Sequence, residues 1–129
     1  MSGKHLTLSV LWEPFAICRL PVGERVPEWA LTQDFFSITR TFDELSLVCP
    51  QAGIPSGVPA ERGWRCLKVE GPFEFSATGI LASLAEPLAR GGVPVFATST
   101  FETDYLMLPE KDFERAVPIL EGAGHHVRI

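Results

Sequence analysis

The sequence contains no run of basic residues, and acidic side chains outnumber basic ones. Its 129 residues include 16 Asp and Glu against 11 Lys and Arg, which gives a formal charge of -5. Nowhere do even four basic residues follow one another. A nucleic-acid surface needs clustered Lys and Arg to neutralise phosphates, so this charge pattern argues against nucleic-acid binding.

Long uninterrupted apolar segments are also missing. The longest apolar region, Thr78 to Ala97, is broken by Glu86 and Arg90 and holds two prolines and three glycines. Such a segment cannot cross a bilayer as a helix. The apolar stretch near the N-terminus is interrupted by charged residues and a proline, and no small-residue cleavage site follows it. We therefore expect no signal peptide, no membrane contact and a cytoplasmic location.

Cysteine is scarce, and its spacing fits no known metal or redox motif. Cys18, Cys49 and Cys66 are odd in number, lie far apart in the sequence and form no C-x-x-C pair. This spacing suits neither a zinc site nor a dithiol redox centre. A free cysteine in a reducing compartment behaves mainly as a small hydrophobic residue, so we predict three buried free thiols.

The composition is that of a compact chain whose first half is rich in strands. An apolar fraction of 46% fits one globular domain or two very small ones. In the first half, Glu13-Pro14 is predicted to turn the chain and residues 28–31 to form a short helical turn. The segment 50–63 has three prolines and three glycines, which predicts a loop between two units. Strands are predicted at residues 6–12, 15–20, 35–39 and 45–49.

Beyond that loop, the pattern indicates the order strand, helix, strand, strand, helix, strand. The first helix is predicted to begin at Ser76 or Thr78 and the second to follow Pro109. Pro87 and Pro118 fall inside these helices, where a proline costs about 3 kcal/mol, so bent or shortened helices are expected. The strands are predicted at residues 64–69, 93–99, 103–108 and 125–129.

An internal repeat relates the two halves of the chain. Residues 37–50 align without a gap with residues 96–109, an offset that places Ser37 on Phe96. The alignment matches Phe42 with Phe101, and both phenylalanines are expected in the core. The matching strand and turn pattern favours a duplicated unit, and a chance match is the alternative.

One stretch in the second half carries a family resemblance. It consists of TGILASLAEPLA at residues 78–89, followed by VPVFATSTFETDYL at residues 93–106. These residues resemble the signature of an ACT subfamily that is shared by short bacterial proteins and the CASTOR arginine sensors. ACT domains are small ligand-binding modules of amino-acid metabolism. The resemblance covers nearly the whole chain, and it also accounts for Pro87 within the helix.

The resemblance implies both a fold and a function. The implied fold is α+β, with two tandem ACT units of ferredoxin-like βαββαβ topology, antiparallel sheets and helices on one face. The expected units are residues 1–60, a degenerate copy, and residues 61–129, a clear copy. The implied function is regulatory: the protein would bind an amino acid, need no cofactor and catalyse no reaction. It would form a homodimer and act on an unidentified effector protein.

The predicted helix start and the hairpin suit a small zwitterion. Gly79 would let a ligand approach the backbone, and the unpaired amide groups near it favour a carboxylate. Asp104 provides the opposite charge for an ammonium or guanidinium group, and Phe101 could cover an apolar side chain. The expected ligand-binding residues are Ser76, Ala77, Thr78, Gly79, Ile80, Ser99, Thr100, Phe101 and Asp104.

These residues also have simpler interpretations, and one of them departs from the family pattern. A glycine such as Gly79 can serve close packing of helix on sheet, and Asp104 can cap a turn or face solvent. The arginine sensors carry a carboxylate where Ala77 stands in this sequence. A neutral or apolar amino acid therefore fits this chain better than arginine does.

Catalytic and metal chemistry have little support. His125 and His126 are adjacent on a predicted strand, where side chains point to opposite faces, so they cannot ligate one ion together. We expect them to form a surface pair. The acidic pairs Asp43-Glu44 and Glu102 with Asp104 fall in predicted exposed turns, where a raised pKa is not expected.

The alternative to a ligand sensor is an interaction module without a small ligand. Small side chains along the first predicted helix, Ala82, Ser83, Ala85 and Ala89, would allow another surface to pack closely. Dimerisation is expected under either interpretation.

Overall fold

A computed structural model of the chain describes residues 5–71, 73 and 78–129, which form strands and short helices. The strands are β1 (Thr7–Leu20), β2 (Ser37–Arg40), β3 (Leu45–Pro50), β4 (Ala60–Val69), β5 (Phe96–Ser99), β6 (Asp104–Pro109) and β7 (His126–Arg128). The helices are α1 (Glu28–Leu31), α2 (Ile80–Arg90) and α3 (Phe113–Gly122), with 3-10 turns at Gln51–Gly53 and Glu110–Asp112. None of the helices in the described ranges is long and apolar enough to cross a membrane.

The chain divides into two compact units. Unit 1 combines the chain up to Trp12 with Arg65–Ile129, and unit 2 is Glu13–Trp64. The structure thus differs from the expected boundary between residues 60 and 61, because the first residues group with the C-terminal part. The physical reason is a shared core, in which Leu8 packs together with Leu67 and Leu120.

Unit 1 has the predicted βαββαβ order, which runs from β4 through α2, β5, β6 and α3 to β7. Its strand order is β7-β1-β4-β6-β5, so the first part of β1 lies between β7 and β4. β1 is parallel to β7, while β5 and β6 form an antiparallel hairpin. The expected α+β class with a largely antiparallel sheet is confirmed. Its core includes Leu84, Leu88, Leu106, Leu108 and Leu120.

Unit 2 has the same order of elements in a reduced form. The last part of β1 is followed by the short helix α1, then by β2, β3, a 3-10 turn and the start of β4. β3 pairs antiparallel with both β1 and β2. The core of this unit consists of Ala16, Cys18, Ala30, Leu47, Cys49 and Ile54.

The predicted offset between the two halves recurs in the positions of their elements. It carries Ser37, the first residue of β2, onto Phe96, the first residue of β5. The same offset relates the start of β3 to that of β6, and the first 3-10 turn to the second. The offset does not extend to the opening strands. In sequence it pairs Leu8 with Leu67, but both of these side chains lie in the core of unit 1.

Phe42 and Phe101 are exposed, so the prediction that they belong to the core is wrong. Each lies in the turn of a hairpin, and their exposed fractions are 100% and 79%. In both turns, the hydroxyl of the preceding threonine accepts backbone N–H bonds from residues two or three positions later. These bonds close a tight turn and leave the phenylalanine at its tip, away from the cores.

Prolines lie inside β1, α2 and α3 without ending these elements. β1 continues through Pro14, which was expected to turn the chain, and α2 and α3 continue through Pro87 and Pro118. In α2, the missing N–H of Pro87 leaves the carbonyl of Ser83 without its intrahelical donor. His125 Nε2 lies 2.9 Å from that oxygen and replaces the missing donor.

Candidate functional site

One wall of the candidate site is the start of α2. Gly79 precedes the helix with a φ of 78°, a left-handed conformation that is strained for any residue with a Cβ. The first intrahelical bond runs from the Ser83 N–H to the Gly79 carbonyl at 3.0 Å. No described side chain caps this helix. The amide groups of Ile80, Leu81 and Ala82 therefore form a partly positive helix start, which suits a carboxylate.

The other wall is the end of the β5–β6 hairpin. Ser99 and Asp104 stand directly opposite each other, as the last residue of β5 and the first residue of β6. The Ser99 hydroxyl donates a hydrogen bond to Oδ1 of Asp104. This wall carries the negative charge that an ammonium group requires.

Two hydrogen bonds hold the hairpin turn against the segment that follows β4. Thr103 is buried, and its hydroxyl donates to the carbonyl of Val69 at 2.5 Å. The N–H of Phe73 donates to the carbonyl of Glu102 at 2.9 Å. The turn is therefore fixed by its neighbours in unit 1 rather than by the hairpin alone.

Both walls line a single cavity of about 410 Å³ within unit 1. This volume falls within the usual range for small-ligand sites. Two carboxylates, Glu102 and Asp104, belong to the lining, and no described lining residue has a basic side chain. The lining residues are Phe73, Gly79, Ile80, Leu81, Ala82, Ser99, Thr100, Phe101, Glu102, Thr103 and Asp104.

The structure brings together most of the residues that the sequence singled out. Thr78 is exposed and is not part of the cavity lining. Ser76 and Ala77 lie outside the described residues. The predicted residues that do line the cavity are Gly79, Ile80, Ser99, Thr100, Phe101 and Asp104.

Five further lining residues were not among the expected ligand-binding residues: Phe73, Leu81, Ala82, Glu102 and Thr103. Leu81 and Ala82 belong to the first turn of α2. The backbone N–H groups of a first turn have no intrahelical acceptor, and this general property could have identified both residues. Glu102 and Thr103 lie in the turn between two predicted residues. No local sequence pattern indicates that Phe73 lines the cavity, because its backbone hydrogen bond to Glu102 is a tertiary contact.

The thiols are unsuited to nucleophilic chemistry. All three cysteines are free and buried, as predicted. Burial raises the pKa of the Cys66 thiol to about 12 and that of Cys49 to about 11. Both thiols therefore stay protonated at neutral pH, whereas the reactive form of a cysteine is the thiolate. In the described part of the chain, no three His, Cys, Asp or Glu side chains are placed to hold a metal ion.

The two adjacent histidines do not form a surface pair, and the prediction is wrong for His125. This side chain is 4% exposed, whereas His126 is exposed. His125 Nδ1 accepts the N–H of Leu6 at 3.1 Å, and Nε2 donates to the carbonyl of Ser83. Both ring nitrogens are thus bonded to the backbone, so His125 has a structural role.

Two family models match separate parts of the chain. A model of the ACT domain matches residues 60–122, and a model of an N-terminal domain matches residues 13–57. The Bos taurus protein named cytosolic arginine sensor for mTORC1 subunit 1 is 32% identical over 97 residues, which are 67% of this chain. The match covers 30% of that protein, so the chain spans less than a third of its length.

Solved structures extend the likeness to the whole chain. The crystal structure of an Agrobacterium tumefaciens protein is 40% identical, with a TM-score of 0.92 over 98% of this chain and 94% of that one. The regulatory subunit of aspartate kinase from Thermus thermophilus is 10% identical and shares the fold, with a TM-score of 0.63 over 90% of this chain and 96% of that one. This chain is an ACT-domain protein related to the cytosolic arginine sensors.

Proposed function

We propose that this chain is a regulatory protein without catalytic activity that binds an amino acid in the cavity of unit 1. The observation that supports this proposal is the shared cavity, where the start of α2 at Gly79 and the carboxylate of Asp104 form two walls. The α-carboxylate of the ligand would accept hydrogen bonds from the first amide groups of α2. Its ammonium group would pair with Asp104.

The remaining lining suits the carbon atoms of a small side chain. Phe73 and Phe101 contribute aromatic rings, and Ile80 and Leu81 are aliphatic. Ala77 stands where the arginine sensors carry a carboxylate, which favours a neutral or apolar amino acid over arginine.

We also propose that the chain contains two tandem ACT units, of which the first is degenerate. The constant sequence offset between β2–β3 and β5–β6 supports this interpretation. Each of the two hairpins is also followed by a 3-10 turn. As an ACT-domain protein, the chain would act in the cytoplasm as a homodimer. It would transmit ligand binding to an effector protein of unknown identity.

The test of ligand binding is a thermal-shift screen with the twenty standard amino acids, each added singly. A ligand that binds only the folded state stabilises it by about 2.7 kcal/mol when its concentration is a hundred times Kd. At least one amino acid should therefore raise the melting temperature in a dose-dependent way. If none does so at millimolar concentration, the proposed function is wrong.

An interaction module without a small ligand is the second candidate. The observation in its favour is Phe42, which is fully exposed at the tip of the unit 2 hairpin. An exposed aromatic side chain of this kind is common in protein interfaces. This candidate predicts no thermal shift with any amino acid, together with loss of self-association in Phe42→Ser.

A further inference from the structure

The hydrogen bond between Ser99 and Asp104 limits what the cavity can offer a ligand. A serine hydroxyl has one hydrogen, and Ser99 donates it to Oδ1 of Asp104. Within the cavity, Ser99 can therefore only accept hydrogen bonds. Asp104 retains Oδ2 as a second acceptor. Both residues belong to the cavity lining, so the two acceptors lie on the same wall.

The corresponding hairpin of unit 2 shows that the fold does not require this pair. Arg40 and Leu45 stand opposite each other at the end of that hairpin, in the positions that the internal repeat matches with Ser99 and Asp104. Arg40 Nη2 donates to the carbonyl of Glu24 at 2.7 Å. The two hairpins have turns of the same construction, so the Ser–Asp pair is not needed to form one.

We propose that Ser99 is a positioning residue, which holds the Asp104 carboxylate so that Oδ2 of Asp104 and Oγ of Ser99 together accept a free ammonium group. This inference rests on the proposed function, in which the cavity binds an amino acid. A primary ammonium carries three N–H donors and satisfies both acceptors. An N-acetyl group has one N–H and no charge, and a trimethylammonium group has no N–H.

The substrate class that follows is the unmodified α-amino acid. An N-acylated or N-trimethylated form leaves at least one desolvated acceptor unpaired beside Asp104, which costs affinity. The carboxylate end at α2 is the same in all three forms. Discrimination among them therefore reports on the part of the cavity that receives the amino group, and the Ser99 variants identify the contribution of the Ser99–Asp104 wall.

The experiment measures binding of the twenty standard amino acids to the wild type, Ser99→Ala and Ser99→Thr by thermal shift and calorimetry. Each amino acid that binds the wild type is also supplied as its N-acetyl and N-trimethyl forms. Thr98→Ala is the matched control, because Thr98 precedes Ser99 on β5, pairs with Tyr105 and does not line the cavity.

We expect Ser99→Ala to weaken binding by roughly tenfold or more, since the lost bond involves a charged group. Ser99→Thr should restore affinity, because it restores the hydroxyl, and Thr98→Ala should bind as the wild type does. The N-acetyl and N-trimethyl forms should produce no shift in the wild type.

Three outcomes would overturn the inference. Equal affinity of Ser99→Ala and the wild type would show that Ser99 does not position Asp104. Equal binding of the N-substituted forms would show that the wall does not select an ammonium group. Loss of binding that Ser99→Thr fails to restore would indicate a packing role. A wild type that binds none of the twenty amino acids would instead refute the proposed function.

Discussion

His125 Nε2 lies 2.9 Å from the carbonyl oxygen of Ser83, the acceptor that Pro87 leaves without an intrahelical donor. The other ring nitrogen, Nδ1, accepts the N–H of Leu6 at 3.1 Å. A backbone carbonyl can only accept and a backbone N–H can only donate, so Nε2 donates its hydrogen and Nδ1 accepts. The buried His125 therefore provides hydrogen-bond partners for the Ser83 carbonyl in α2 and for the N–H of Leu6, the residue that precedes β1.

Replacing this histidine should destabilise unit 1. His125→Leu leaves the N–H of Leu6 and the carbonyl of Ser83 without partners, so we expect the free energy of unfolding to fall by about 2–4 kcal/mol. Urea denaturation measures this loss. His126→Leu is the control, and we expect a change within about 0.5 kcal/mol because His126 is exposed.

A double-mutant cycle isolates the link between His125 and Pro87. Pro87→Ala returns an N–H to the helix, which can donate to the carbonyl of Ser83. His125→Leu should then cost about 1 kcal/mol less than it does in the wild type. An equal cost in both backgrounds would show that His125 does not replace the proline's missing donor.

Removal of the Asp104 charge should abolish ligand binding without unfolding the protein. In Asp104→Asn, the ammonium group loses its charge-assisted partner, so we expect the ligand-induced rise in melting temperature to disappear. The melting temperature of the ligand-free protein should change little. Asp43→Asn, in the turn of the unit 2 hairpin, is the control and should leave binding intact. A large loss of stability in Asp104→Asn would identify Asp104 as structural.

Gly79 should resist substitution because of its backbone conformation. Gly79→Ala places a Cβ on a residue with a φ of 78°, so we expect a loss of about 1–2 kcal/mol and weaker amino-acid binding. Gly122→Ala is the control, because a Cβ there meets no atom within 4 Å at the end of α3. It should be neutral or slightly stabilising, and chemical denaturation compares the two. A neutral Gly79→Ala would contradict the assigned helix start.

The three thiols should be protected in the folded protein. Cys18, Cys49 and Cys66 are buried, so a thiol reagent such as dithionitrobenzoate should react slowly at neutral pH. In denaturant, all three should react at once. Rapid reaction of any one thiol under native conditions would show that its surroundings open.

Burial of Cys66 also predicts the direction of a pH effect. Its pKa is raised from 9.0 to about 12 in the folded state, so above pH 9 the thiol ionises more readily when the chain is unfolded. The stabilisation from this thiol is complete below pH 9 and is lost as the pH rises toward the folded-state pKa.

The loss can reach about 1.4 kcal/mol per pH unit for one thiol. Cys66→Val removes the titrating group at similar volume, so it should flatten the alkaline decline relative to the wild type. Urea denaturation at several alkaline pH values measures both curves. Parallel curves would contradict the prediction.

Much of unit 1 could be predicted because its signals are local. Apolar spacing indicated α2 and α3, and the helix start and the hairpin contain most of the residues that line the cavity. The predictions failed where tertiary contacts or turn geometry decide the outcome. The carbonyl that Pro87 leaves without an intrahelical donor in α2 is bonded by His125, which lies near the end of the sequence. Phe101 is exposed because the turn places it at a tip.

Periodicity and turn residues determine the type and order of elements, since these depend on neighbours within a few positions. They also determined that a glycine-led helix and an acidic hairpin lie in the same half of the chain. Only the tertiary structure decided that Leu8 packs with Leu67, that Phe73 reaches the cavity and that His125 is buried. These features depend on which distant segments exclude water together, and no short window of sequence contains that information.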